Sequence, residues 1–213
     1  MGQLEQPRDV VYIVEDDDAA RALYCRVARS MRLDYEAFAC AAPFLERCEA
    51  LRPGCLVLDL VLPDLSGLEV QRELTLRGIA IPIIFVTGKG QIASAVAAMR
   101  QGAFNFLEKS FSKAELVENI RQAVALDHSH RRISDEVNAI RGKLESLTQR
   151  EHDVLNEVLS GLSNKIIAHK LNLSQRSIEL HRSRVMEKMG ASSVAHLVRM
   201  LLNAEEGQDK WSG

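Results

Sequence analysis

Residues 55–69 read CLVLDLVLPDLSGLE. The first six, CLVLDL, are apolar and rich in branched side chains, with Asp59 as the one polar interruption. A strand with one wet face alternates polar and apolar residues, whereas a continuous run marks a strand covered on both faces. Working outward, VVYIV (10–14) and IPIIFVTG (81–88) repeat that pattern, AFNFL (103–107) is a shorter strand, and DYEAFAC (34–40) a weaker one. Helical patterns fill the gaps, at 19–31, 42–51, 67–77, 91–101 and 112–126. Strand–helix alternation of this kind predicts an α/β domain over 9–126, built on a parallel sheet with helices on both faces.

The chain has 213 residues, room for one large domain or two small ones. No apolar run approaches the roughly 18 residues of a membrane span, and the polar start MGQLEQPRD lacks a signal-peptide core. The expected location is therefore the cytoplasm, with no membrane partner. Cys25, Cys40, Cys48 and Cys55 form no CxxC pair and read as thiols in a reducing compartment. His128 and His130 stand close together without further ligands at metal spacing. The net charge of −2 conceals an asymmetry. Residues 9–126 carry 13 Lys/Arg against 16 Asp/Glu, while residues 160–190 carry six against two. A basic segment in an acidic chain suits a polyanionic partner, although such runs are often solvated faces.

Between 127 and 146 the pattern changes. Ile133, Val137, Ile140, Leu144 and Leu147 recur at spacings of four and three, a short coiled-coil-like seam. It fits either a helix packing on its own domain or a linker helix pairing two protomers. Residues 148–203 are all helical in pattern, within a domain expected over 147–206. Thr148 and Glu151 make a capping box, Ser163 and Ser174 stand at N-cap positions, Gly190 ends a helix, and Ser192 or Ser193 starts the last one. Four helices there predict a small all-α domain.

In an open α/β sheet, functional groups gather at the carboxyl ends of the strands. The groups at those ends are Glu15, Asp16, Asp17 and Asp18 after the first strand, Asp59 in the third, Thr87 in the fourth, and Glu108 and Lys109 after the fifth. Asp17 and Asp18 are explained as helix caps. The remaining carboxylates would repel unless a hard cation sat among them, and Mg2+ suits one or two carboxylates, waters and a phosphate. A carboxylate beside such an ion can attack phosphorus and form an acyl phosphate, with Lys109 and the Thr87 hydroxyl taking the other phosphoryl oxygens. TGKG (87–90) is not a phosphate-binding P-loop, because residue 83 is Ile and residue 90 is Gly.

At the other end, NKIIAHKL, the turn Asn172-Leu173-Ser174, and QRSIELHRSRVMEKMG form helix, turn and helix. Ile166, Ile167 and Leu171 give the first helix an apolar face, and Ile178, Val185, Met186 and Met189 give the second its own. The opposite face of the second helix carries Arg176, Glu179, His181, Arg182, Ser183, Arg184 and Lys188 and suits a DNA major groove. Lys165, Lys170 and Arg176 are candidates to hold phosphates and set register. Charge alone leaves open a bundle helix with no ligand.

IVEDD (13–17), LVLDLVLPDLSGLE (56–69), IIFVTGKG (83–90) and GAFNFLEKSF (102–111) together resemble the four signatures of two-component receiver domains, over about 9–126. The resemblance implies a flavodoxin-like five-stranded sheet of order 2-1-3-4-5. It implies phosphorylation at Asp59 from a phosphohistidine on a sensor histidine kinase. Glu15 and Asp16, with Asp59 and the Val61 backbone carbonyl, would bind Mg2+. Thr87 and Lys109 would sense the phosphate, and Phe106 would turn inward in response. One departure stands: Ser110 follows the lysine where such domains usually have proline in a cis bond. A non-proline cis bond costs about 2.5–4 kcal/mol. The bond is therefore trans or strained, and a trans bond can shift the aim of Lys109.

Residues 147–203 resemble the helix-turn-helix of the LuxR/FixJ/NarL families through LTQREHDVL, GLSNKIIAHKL and LSQRSIELHRSRVMEKMGASS. Carried over, Glu179, Leu180 and Ser183 face bases, while Arg182, Arg184, Lys165 and Lys188 contact backbone or bases. Val194, Leu197, Val198 and Leu201 would form the seam of a dimer helix. Both halves together resemble a FixJ-type regulator. That implies a non-enzymatic transcription factor that binds promoter double-stranded DNA and forms a homodimer on activation. Two other readings stay open: a DNA-binding regulator independent of phosphorylation, suggested by Ser110, and a phosphoryl sink or interaction switch that meets no DNA.

Overall fold

The computed structural model describes residues 8–88 and 92–209. Lys89, Gly90 and Gln91, the end of the GKG stretch and the expected start of a helix, lie outside the described residues. The chain divides into two units, Met1–His130 and Arg131–Gly213.

The first unit alternates β1 (Val10–Val14), α1 (Asp18–Ser30), β2 (Asp34–Phe38), α2 (Ala41–Arg47), a 3₁₀ turn at Cys48–Ala50, β3 (Gly54–Asp59), α3 (Gly67–Leu76), β4 (Ile83–Thr87), α4 (Ile92–Arg100), β5 (Asn105–Glu108) and α5 (Lys113–Glu145), whose later part belongs to the second unit. The five strands are parallel, in the order β2-β1-β3-β4-β5. This is the flavodoxin-like arrangement. β1, β3 and β4 are buried along their whole length, which is why they read as unbroken apolar runs. Their side chains divide by parity. Val10, Tyr12, Val14, Leu56, Leu58 and Phe85 pack against α2, α3 and α4. Val11, Ile13, Val57, Ile84 and Val86 pack against Tyr24 and Val27 of α1 and Leu116 and Ile120 of α5. The edge strand β2 is mostly half-buried, which is why it reads weakly.

One expectation is corrected here. The helix expected over 112–126 does not stop before the 127–146 segment, because α5 is continuous from Lys113 to Glu145. No Gly or Pro lies between 113 and 141 to end it. The seam residues Ile140, Leu144 and Leu147 pack into the core of the second unit with Leu155, Val185, Met189 and Leu197, so the segment packs on its own unit.

The second unit adds α6 (Gln149–Leu159), α7 (Asn164–Leu171), α8 (Gln175–Met189) and α9 (Val194–Asp209). The Thr148–Glu151 capping box forms in both directions, and Ser174 caps α8 by accepting from the Ser177 N–H. Ser163 holds the N-cap position of α7 but makes no side-chain capping bond. Asn172 and Gly190 end α7 and α8 in the left-handed conformation. Ile166 is a correction: it is 52% exposed, and the buried face of α7 is made by Ile167 and Ala168. Three of the seam residues expected on α9 are also committed elsewhere. Leu197 is fully buried and Leu201 packs on the same core, while Val194 packs against the neighbouring cluster of Val154, Ile167 and Ile178.

Candidate functional site

The parallel sheet brings the ends of β1, β3, β4 and β5 to one edge. Glu15 follows β1 directly, Asp59 closes β3, Thr87 closes β4, and Lys109 follows β5. Glu15, Asp59 and Thr87 are buried, and Asp16 is exposed beside them. One carboxylate oxygen each from Glu15, Asp16 and Asp59 lies within 4.8 Å of the others. Lys109 Nζ donates to Glu15 Oε1 and to Asp59 Oδ2, at 2.8 Å in both cases. Asp59 Oδ1 accepts from the Val61 N–H at 3.1 Å. The Lys109 N–H donates to the Thr87 carbonyl at 2.7 Å, which holds the β5 end against β4.

The electrostatics leave an unfilled demand. Among the described residues, three carboxylates face one ammonium. Burial pushes the Glu15 carboxyl above its usual range, against the pull of the Lys109 hydrogen bond, and the Asp59 charge adds to the rise. Burial alone would lower Lys109, but its bonds to Asp59 and Glu15 outweigh that and hold the ammonium charged. Glu15 Oε2 is buried with no hydrogen-bond partner. A buried carboxylate oxygen without a donor is costly. An oxygen-rich, net-negative cluster with such an orphan fits a hard divalent cation such as Mg2+.

No cis peptide bond occurs among the described residues, so the Lys109–Ser110 bond is trans. The ammonium nevertheless reaches both carboxylates, and the absence of proline has not displaced it. Phe106 is half-buried and packs on the β-sheet core beside Phe85 of the adjoining strand.

Two further residues shape the site, Gly67, whose spacing from Asp59 also matches the receiver pattern, and Asp64, which the sequence does not single out. Gly67 allows a close approach, since a Cβ there would lie 2.4 Å from the Asp59 carbonyl oxygen and 2.9 Å from the Phe85 ring. Its N–H donates to the Leu60 carbonyl at 2.9 Å. Asp64 reaches back to cap α2, accepting from the Ala41 and Ala42 N–H groups at 3.0 and 2.8 Å. Desolvation would raise its pKa, yet these backbone donors and the Leu65 N–H hold the carboxyl below the usual range.

In the second unit the expected DNA-facing residues fall into two groups. Arg176, Glu179, Leu180, Ser183 and Arg184 are exposed on α8, Leu180 at 51%, and Lys165 is exposed on α7. The others are engaged within the unit. Lys170 pairs with Glu157 at 2.7 Å, and Arg182 donates to Asn164 Oδ1 at 3.0 Å. Lys188 donates to Glu151 Oε2 at 2.6 Å and to the Ser146 carbonyl at 3.0 Å. That Lys188 bond, with the Thr148 N–H, lowers the Glu151 pKa to about 2.

Residues 11–121 match the family of the response regulator receiver domain, and residues 145–201 match bacterial regulatory proteins of the luxR family. The response regulator protein TmoT of Ectopseudomonas mendocina is 39% identical over 197 residues, covering 92% of this chain and 90% of its own. The transcriptional regulatory protein FixJ of Rhizobium meliloti is 40% identical over 192 residues, covering 90% and 94%. Among solved structures, that of the response regulator StyR superposes with a TM-score of 0.82 at 36% identity, covering 91% of this chain and 98% of its own. Full-length FixJ from B. japonicum superposes with a TM-score of 0.59 at 33% identity, covering 94% and 99%.

Proposed function

The chain belongs to the response-regulator family that joins a receiver domain to a LuxR-type DNA-binding domain, and from that membership we propose that Asp59 is the phosphoacceptor through which a sensor histidine kinase controls promoter binding by α8. The observation that carries this reading is the double bond of Lys109 to Glu15 and Asp59 at the carboxyl edge of the sheet. The functional boundaries proposed are a receiver over 9–126, a helical linker over 127–146 and a DNA-binding domain over 147–206.

Transfer breaks the P–N bond of a phosphohistidine and forms a P–O bond to the Asp59 carboxylate, and the imidazole leaves with the electron pair. Glu15, Asp16, Asp59 and the Val61 carbonyl would hold Mg2+, which when bound neutralises charge on the phosphoryl group. The Val61 N–H keeps the carboxylate oriented through Oδ1. Lys109 exchanges one carboxylate oxygen for a phosphoryl oxygen, and the Thr87 hydroxyl takes another. That exchange draws Thr87 and its strand-end neighbours inward. Phe106, half-buried beside Phe85, follows. The altered receiver face then favours a homodimer that presents two DNA-binding domains to two half-sites.

On the DNA, Arg176, Glu179, Leu180, Ser183 and Arg184 enter the major groove, and Lys165 holds a phosphate. Lys170, Arg182 and Lys188 join only by giving up Glu157, Asn164 and Glu151. The family is one of transcriptional regulators rather than enzymes. No described helix is long and apolar enough to cross a membrane, which is consistent with a cytoplasmic regulator.

Incubation with acetyl phosphate and Mg2+, read by intact mass, tests the trigger. The expected result is one phosphoryl group on the wild-type chain and none on Asp59→Ala, with tighter promoter binding only for the former. Equal promoter binding by both chains, with no mass increase in either, would establish control independent of phosphorylation.

A further inference from the structure

At the amino-terminal edge of the same sheet, opposite the acidic pocket, a cleft of ≈ 750 Å³ is lined by Arg8, Arg29, Arg32, Asp34, Tyr35 and Arg52. The guanidiniums come from separate segments: ahead of β1, the last turn of α1, the α1–β2 turn, and just before β3. Arg52 pairs with Asp34 at 2.8 Å. Glu36 also borders the cleft, but it is held by Arg47, with Nη2 3.1 Å from Oε1. Arg29 donates to the Tyr35 hydroxyl at 2.5 Å and lies 5.6 Å from the centre of that ring. Arg8 and Arg32 have no carboxylate partner among the described residues.

Arg29 by itself is explained by the carbonyl end of α1, which favours a cation. Arg32 has no such explanation. It sits past the helix end at φ 61°, a left-handed conformation that glycine or asparagine adopts at less cost. An arginine there is strained, and its charge adds to those of its neighbours. With Arg52 balanced by Asp34, the guanidiniums of Arg8, Arg29 and Arg32 remain around the cleft and repel unless an anion enters, and planar guanidiniums bind phosphate oxygens in bidentate fashion. The volume falls in the range of small-molecule sites.

We propose that this cleft is a second anion site of the receiver unit, distinct from the phosphoacceptor pocket, which takes a ligand carrying a diphosphate group. Two sources share that chemistry: inorganic pyrophosphate and a nucleoside diphosphate. Arg32 and Arg8 grip the terminal phosphoryl group, Arg29 and Arg52 flank the other, and the Tyr35 hydroxyl stays with Arg29.

The test is calorimetric titration of the full chain with pyrophosphate and, separately, with ADP, in EDTA so that the acidic pocket cannot hold metal-bound phosphate. The decisive variant is Arg32→Gly, because glycine accepts φ 61° without strain. Its unfolding midpoint should not fall, so weakened binding cannot be blamed on misfolding. The expected result is one saturable site per chain, weakened at least tenfold by Arg32→Gly and unchanged by Arg100→Ala on the exposed side of α4. Equal or tighter binding of ADP identifies the nucleotide as the source, and binding of pyrophosphate alone identifies the inorganic ion. No saturable binding of either, or binding that Arg32→Gly leaves intact, overturns the proposal.

Discussion

At the acidic edge of the receiver unit, Glu15, Asp59, Thr87 and Lys109 arrive from the ends of four strands, and three of them are buried. On α8, Arg176, Glu179, Leu180, Ser183 and Arg184 come from one short stretch of one helix, exposed and with no hydrogen-bond or ion-pair partner among the described residues. The first region works by convergence. Lys109 bonds two carboxylates at once, so the placement of each group depends on the others. The second works by display, with side chains that face water and act largely one at a time. Substitutions at the edge should therefore propagate, and substitutions on the helix should add.

The largest effect is expected where convergence is tightest. Lys109→Ala removes the ammonium bonded to Glu15 and Asp59, which is also the donor proposed for the transferring phosphoryl group. Loss of one such preorganised donor typically costs about 100-fold or more in rate. Acyl phosphate formation from acetyl phosphate, followed by intact mass, should slow by about that factor. A rate equal to wild type would mean that the edge residues are neighbours without being coupled.

On α8 the expected effect is smaller and separable. Arg184→Ala should weaken binding to a promoter fragment recovered by genome-wide mapping by about tenfold, within the range for one base or phosphate contact. Its unfolding midpoint should stay near wild type, because the side chain has no partner to lose. Lys188→Ala, one helical turn further on, should do the reverse: a lower midpoint, since buried Glu151 loses its Lys188 bond, with little change in affinity. If both variants lose affinity alike, Lys188 belongs to the displayed face after all.

This division also explains which features are legible in the sequence. β1 was expected at 10–14 and lies at Val10–Val14, because a strand buried on both faces leaves an unbroken apolar signal. Glu15, Asp59, Thr87 and Lys109 were legible because parallel strands must end at one edge. Contacts made by a flexible side chain across space leave no period. Lys170 and Lys188 look like free cations in sequence, yet each closes on a glutamate of α6. Ile166 fits an apolar face on paper, but on a helix of eight residues Ile167 and Ala168 take the buried positions. The continuity of α5 is not legible, because the apolar pattern changes near 127 while the helix runs on from Lys113 to Glu145.

A pH series sharpens the contrast between paired and displayed groups. In the folded chain Glu151 titrates at about 2, against a usual 4.5, so its folded pKa is depressed. Such a group stabilises the fold fully above its unfolded pKa, and the contribution is lost as pH falls from about 4.5 toward about 2. Between about pH 5 and about pH 3 the wild-type unfolding midpoint should fall more steeply than that of Glu151→Gln. Parallel curves would show that the Lys188 pair adds nothing to stability.

The smallest effect tests whether the contrast extends to helix caps. α6 and α8 are capped by Thr148 and Ser174, each bonding a residue three positions on. α2 is capped by Asp64, 23 residues beyond Ala41, from the loop that follows β3. Loss of a cap costs about 1 kcal/mol wherever the cap comes from. Asp64→Ala and Ser174→Ala should therefore lower chemical stability by similar amounts. They should differ in reach, because Asp64 also ties the loop between Asp59 and α3 to the start of α2. Ser174→Ala should leave acyl phosphate formation untouched, while Asp64→Ala should slow it measurably, by less than Lys109→Ala does. An unchanged phosphorylation rate in Asp64→Ala would confine the convergent region to the residues at the strand ends.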